Sequence, residues 1–129
     1  MIERRPVVAI VDDDPRLLES LEDLLESAGY ATRSFSSAQS LLISGTSSLD
    51  VLITDIGMPG MDGFELCQLV KKIRPDLPTF LITGRHEIAD EERAQGISGF
   101  FRKPFDAQDM LAAIGHALCK SKNGGEHGS

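Results

Sequence analysis

Apolar residues along this chain fall into two rhythms that alternate. Unbroken runs such as Val7-Val8-Ala9-Ile10-Val11, Val51-Leu52-Ile53-Thr54 and Thr79-Phe80-Leu81-Ile82-Thr83 are separated by stretches in which apolar positions recur every three or four residues. Continuous runs rich in β-branched residues suit strands covered on both faces, and the longer spacing suits a helix with one face on a core. Their alternation is the pattern of βαβ units around a parallel sheet. The reading is strand then helix, five times, with strands at residues 7–11, 30–35, 50–54, 79–83 and 97–102.

Local signals set the helices. Asp14 caps a first helix that begins at Pro15, where the missing N–H is no loss, and Leu17, Leu18, Leu21, Leu24, Leu25 and Ala28 give it a core face as far as Gly29. A short helix from about Ser37 carries Ala38, Leu41 and Leu42. The loop Ile56-Gly57-Met58-Pro59-Gly60-Met61-Asp62-Gly63 leads into a third helix with Phe64, Leu66, Cys67, Val70 and Ile73. In that loop Gly60 and Gly63 read as turn and helix-start glycines, and Met58 and Met61 as packing. A fourth helix, within residues 85–95, has only Ile88, Ala89 and Ala94 to pack it and is expected to sit loosely. Asp106 caps a fifth, with Met110, Leu111, Ile114, Ala117 and Leu118 facing inward. From Lys120 the periodicity stops. The chain therefore divides into a lead-in at 1–5, one domain at 6–119, and a tail or linker stub at 120–129.

The 129 residues, 41% of them hydrophobic, suit a single domain with a real core. A net charge of −7 argues against direct contact with nucleic acid, and no apolar run reaches membrane-spanning length, so a cytosolic protein is expected. Cys67 and Cys119 lie in helical patterns without metal-ligand spacing and read as buried or half-buried free thiols. His86, His116 and His127 are scattered.

The chemistry sits at the strand ends. In an α/β fold with a parallel sheet, the carboxyl ends of neighbouring strands converge on one crevice, which here would hold Asp12 and Asp13, then Asp55, Thr83 and Lys103. Carboxylates gathered in this way repel one another unless a cation is present. An oxygen-only donor set suits Mg²⁺ better than zinc or copper. A carboxylate can also attack phosphorus, with the protein supplying position and charge neutralisation. On this reading Asp55 is phosphorylated, Asp12 and Asp13 hold Mg²⁺, and Lys103 and Thr83 contact phosphoryl oxygens. Asp14 is a helix cap, since a carboxylate favours that end of the dipole.

Four segments, Val11-Asp12-Asp13-Asp14-Pro15, Thr54-Asp55 through Met58-Pro59-Gly60-Met61-Asp62-Gly63, Leu81-Ile82-Thr83-Gly84, and Lys103-Pro104-Phe105, resemble the receiver domain of two-component response regulators. The resemblance implies a flavodoxin-like, doubly wound (βα)₅ fold with a five-stranded parallel sheet in the order 2-1-3-4-5. It implies phosphotransfer to Asp55 from a sensor histidine kinase or a histidine phosphotransfer protein. It also implies a Mg²⁺ site made by Asp13 and Asp55, Asp12 through water, and the backbone carbonyl of Gly57, with a cis Lys103–Pro104 bond. Thr83 and Phe100 would be the switch, repacking the surface of the fourth helix, fifth strand and fifth helix toward an output domain or partner protein, with room for a phosphorylation-dependent dimer. This sequence departs from the family's common pattern in having Phe100 rather than tyrosine. Gly57 and Arg85, two places past Asp55 and Thr83, fall where the family tunes phosphoryl lifetime.

Two rival classes fit less well. An aspartate-nucleophile phosphohydrolase needs a second aspartate where Gly57 stands, and a flavodoxin-like cofactor binder needs a phosphate-cradling loop where Asp12-Asp13-Asp14 would repel the phosphate.

Overall fold

The computed structural model describes residues 5–84, 97–103 and 105–127, with side chains as far as Cys119. Along the chain run β1 (Val7–Val11), α1 (Pro15–Ser27), β2 (Ala31–Phe35), α2 (Ala38–Ser44), β3 (Val51–Asp55), α3 (Gly63–Ile73), β4 (Thr79–Thr83), β5 (Gly99–Arg102) and α4 (Ala107–His127). The helix expected within 85–95 falls outside the described residues, as do Arg85, His86 and the Lys103–Pro104 bond, so α4 here is the last of the expected helices.

All four strand pairings are parallel, and the sheet order is β2-β1-β3-β4-β5. β3 and β4 are buried at every position, which explains their unbroken apolar runs. Alternate residues of the inner strands point to opposite faces of the sheet. Val8, Ile10, Val51, Ile53, Phe80 and Ile82 pack with Leu21 and Leu25 of α1 and with Met110 and Ile114 of α4. On the opposite face Ala9, Val11 and Leu52 pack with Ala38 and Leu41 of α2 and with Leu66 and Val70 of α3. Each fully buried aliphatic side chain contributes about 1.5–3 kcal/mol relative to exposure, so this double layer is the main source of stability. β2, at the edge, is only half-buried. Its polar residues are tied to α1 through the Ser34 hydroxyl, which donates to Glu22, and the Thr32 hydroxyl, which donates to Glu26 at 2.8 Å.

The helix ends follow from local chemistry. Asp14 accepts from Arg16 N–H at 2.9 Å, with Pro15 as the first helical residue. Gly29 leaves α1 at φ +98°, a left-handed conformation that other residues rarely adopt, and its N–H donates to the Glu26 carbonyl at 3.1 Å. At the start of α3, Asp62 accepts from Glu65 N–H and Glu65 accepts from Asp62 N–H, both at 2.9 Å, a reciprocal capping box. At its end the Arg74 guanidinium donates to the carbonyls of Thr46 at 2.7 Å and Leu49 at 3.2 Å and pairs with Asp76 at 3.0 Å.

Several details differ from the sequence reading. β3 runs to Asp55 itself, because Asp55 still pairs with Ile82 of β4, and β5 begins at Gly99. The last helix continues to His127 instead of stopping near Cys119: with no proline to interrupt it, each further residue adds a backbone hydrogen bond to an existing helix. Cys67 is buried as expected, whereas Cys119 is exposed because it lies on the outer side of α4, and neither forms a disulfide. Among the described residues, no helix is long and apolar enough to cross a membrane.

Candidate functional site

The carboxyl ends of β1, β3, β4 and β5 lie side by side, and the hydrogen-bond ladder carries on just past them. Asp12 N–H donates to the Phe35 carbonyl at 3.1 Å, Ile56 N–H to that of Ile82 at 3.0 Å, and Lys103 N–H to that of Thr83 at 2.8 Å. The backbone is therefore fixed at the points where the polar side chains emerge. One carboxylate oxygen from each of Asp12, Asp13 and Asp55 falls within 4.8 Å of the others. Lys103 Nζ stands 3.6 Å from Asp55 Oδ1. Thr83, at the end of β4 between those two strands, is buried.

The three acids are not equivalent. Asp12 is 1% exposed and Asp55 8%, whereas Asp13 faces solvent. Asp12 Oδ1 accepts from Asp14 N–H at 2.8 Å, while Oδ2 is buried and has no hydrogen-bond partner among the described residues. Burial pushes the Asp12 carboxyl up to about 6; the bond from Asp14 opposes this, and the charges of Asp55 and Asp13 add to it. Burial likewise raises Asp55, against the opposing charge and hydrogen bond of Lys103. A buried carboxylate oxygen without a partner, on a side chain that stands close to two further carboxylates, requires positive charge. Lys103 supplies part of it. A hard divalent cation suits the remainder, since every donor is oxygen and the carboxylates lie within shared-ligand distance.

Asp12, Asp13, Asp55 and Lys103 are thus brought together as the sequence predicts, with Thr83 on the strand between Asp55 and Lys103. Gly57, two residues beyond Asp55, has no atom of the described residues within 4 Å of the place a Cβ would occupy. Phe100 lies on β5 with 38% exposure. Met58 is buried in the α2/α3 core and Met61 packs against it, as loop packing requires.

The sequence reading missed two contributors. The capping box was legible in the Asp62-x-x-Glu65 spacing. Gly63 is the first residue of α3, as expected, but it also presses on the Asp55 main chain, where an added Cβ would lie 2.3 Å from the carbonyl oxygen. Only the tertiary path of the loop reveals that contact.

The chain matches the family described as the response regulator receiver domain over residues 8–115. It is 39% identical over 108 residues to a heme response regulator, HssR, of Staphylococcus haemolyticus, which takes in 81% of this chain and 48% of that protein. The response regulator protein TodT of Pseudomonas putida is 36% identical over 121 residues, or 92% of this chain and 53% of its own length. The crystal structure of a response regulator receiver domain protein from Clostridium thermocellum superposes with a TM-score of 0.84 at 30% identity, covering 91% of this chain and 97% of the other. The chain spans about half the length of the curated relatives it matches. With the acid cluster and its lysine on the strand ends, and the family pattern running through nearly the whole sheet, the chain belongs to the receiver domains of two-component response regulators.

Proposed function

We propose that Asp55 is the phosphoacceptor of this receiver. The observation that carries the proposal is the meeting of three carboxylates within 4.8 Å of one another, with an ammonium 3.6 Å from one of them, at the ends of strands far apart in sequence. Asp12, Asp13, Asp55 and the Gly57 carbonyl would hold Mg²⁺. Bound there, Mg²⁺ supplies the positive charge that offsets the acids and the incoming phosphoryl oxygens.

An Asp55 carboxylate oxygen attacks the phosphorus of a phosphohistidine on a sensor kinase or histidine phosphotransfer protein. The new O–P bond forms as the P–N bond breaks, and that electron pair leaves on the imidazole nitrogen. Lys103 holds one phosphoryl oxygen and Thr83 donates its hydroxyl to another. Attack by water on the resulting acyl phosphate returns free phosphate and the Asp55 carboxylate, and Gly57, which has no side chain to cover the acceptor, favours that step. Thr83 and Phe100, on adjacent strands, would convey the change to a surface read by an output domain or partner protein, in the cytoplasm where a kinase domain would meet this chain.

The test is incubation with phosphoramidate and Mg²⁺ followed by intact mass. The native chain should gain one phosphoryl group and Asp55→Asn none. Equal labelling of both would remove Asp55 from this role.

A further inference from the structure

Gly63 is required to be glycine by space, not by backbone conformation. Positive φ occurs at Gly29, Gly45 and Gly60 but not at Gly63, so its backbone would accept another residue. What forbids one is the neighbour. A Cβ on Gly63 would lie 2.3 Å from the Asp55 carbonyl oxygen, 2.9 Å from Ile56 Cα and 3.0 Å from the Asp55 carbonyl carbon. These are main-chain atoms of a central strand and its exit, which cannot swing aside as the end of a flexible side chain could. At Gly57 and Gly84, by contrast, nothing among the described residues lies within 4 Å.

This peptide and the one after it are gripped from other directions. The Thr54 hydroxyl, fully buried, donates to the Asp55 carbonyl at 3.1 Å. The Ile56 carbonyl accepts from Gly63 N–H at 3.0 Å and from Met58 N–H at 3.1 Å. The capping box of Asp62 and Glu65 fixes the first turn of α3, so the helix start is a firm surface for the strand end to rest on.

We propose that Gly63 and Thr54 are positioning residues for phosphoryl transfer: together they set the Asp55 peptide, and through it the direction in which the Asp55 carboxylate leaves the sheet. This rests on the reading of Asp55 as acceptor. An aspartate side chain has two torsions, so a shifted peptide displaces its carboxylate by a similar amount. Relieving the Gly63 overlap requires a shift of roughly 1 Å, and a misplacement of that size at a reacting group can slow chemistry about a hundredfold.

The experiment compares the native chain with Gly63→Ala, Thr54→Val and Ile114→Val. Each is treated with phosphoramidate at saturating Mg²⁺ and followed by intact mass, with melting temperature and Mg²⁺ affinity measured alongside. Ile114 lies on the core-facing side of α4, on the sheet face opposite α3, and reports what lost stability alone does. Gly63→Ala should be phosphorylated about tenfold to a hundredfold more slowly, with weaker Mg²⁺ binding. Thr54→Val, which releases the carbonyl without adding bulk, should be slower by about threefold to tenfold. Ile114→Val should melt earlier yet label at the native rate.

The proposal is overturned if Gly63→Ala and Thr54→Val label within about twofold of the native chain, or if Ile114→Val slows as much as they do. Should Gly63→Ala fail to fold, Thr54→Val decides alone, and an unchanged rate overturns the proposal. A native chain that takes up no phosphoryl group overturns the acceptor reading and this inference together, a result distinct from equal labelling of the native chain and Gly63→Ala.

Discussion

Among the described residues Asp12 carries the sharpest conflict: one oxygen is hydrogen-bonded, the other is buried without a partner, and two like charges stand close by. Its carboxyl binds a proton more tightly in the folded chain, at about 6, than the ordinary value of 3.8. A group of this kind favours the folded state below pH 3.8, and the advantage is lost as the pH rises through about 6. The metal-free protein should therefore lose stability across that window, by an amount on the order of 2 kcal/mol after allowance for nearby water. Asp12→Asn keeps the shape, removes the charge and isolates the effect. In urea melts without metal the variant should be more stable than the native chain at pH 7 and equal to it near pH 4, while its Mg²⁺ affinity falls at least about tenfold. A native-minus-variant difference that does not change with pH would show that Asp12 is not the strained group.

At the scale of elements, the α3 capping box is the device that couples ordinary helix chemistry to the site. Asp62→Ala removes one half of it and should cost about 1 kcal/mol in a denaturant melt. Because α3 begins against the Asp55 peptide, the same variant should also slow phosphoramidate labelling; a loss of stability with an unchanged rate would separate the cap from the acceptor. The strands and most helix starts were legible in the sequence for physical reasons. Val7 to Val11 and Val51 to Thr54 are apolar without interruption because both sheet faces are covered. Asp14-Pro15 and Ser37 mark helix starts because unpaired N–H groups need acceptors there. Asp12, Asp55, Thr83 and Lys103 could be grouped because parallel strands end together. What escaped was tertiary. That Gly63 rests on Asp55 depends on how tightly the loop folds back, and the exposure of Cys119 depends on which side of α4 lies outward. The last helix outran its apolar periodicity because helix continuation requires no core contact.

For the whole molecule, a ligand that binds only the folded chain stabilises it by mass action, roughly 2.7 kcal/mol at a hundredfold excess over its dissociation constant. Mg²⁺ should raise the melting temperature accordingly, and more at pH 7 than at pH 5, where protonated Asp12 competes. Hydrogen exchange adds spatial detail: Mg²⁺ alone should protect the ends of β1 and β3, and phosphorylation should extend protection to β5 through Lys103. In Lys103→Ala the first effect should remain and the second disappear; full protection of β5 in that variant would show the ammonium to be dispensable.

Within the sheet each strand is bonded only to its neighbours, yet the Lys103 ammonium at the end of β5 reaches past β4 to the carboxylate of β3. The end of β5 is thereby stitched across β4 to the end of β3, and anything that enters between amine and acid must either lengthen the stitch or swing the outer strands about the seam that joins β3 to β4.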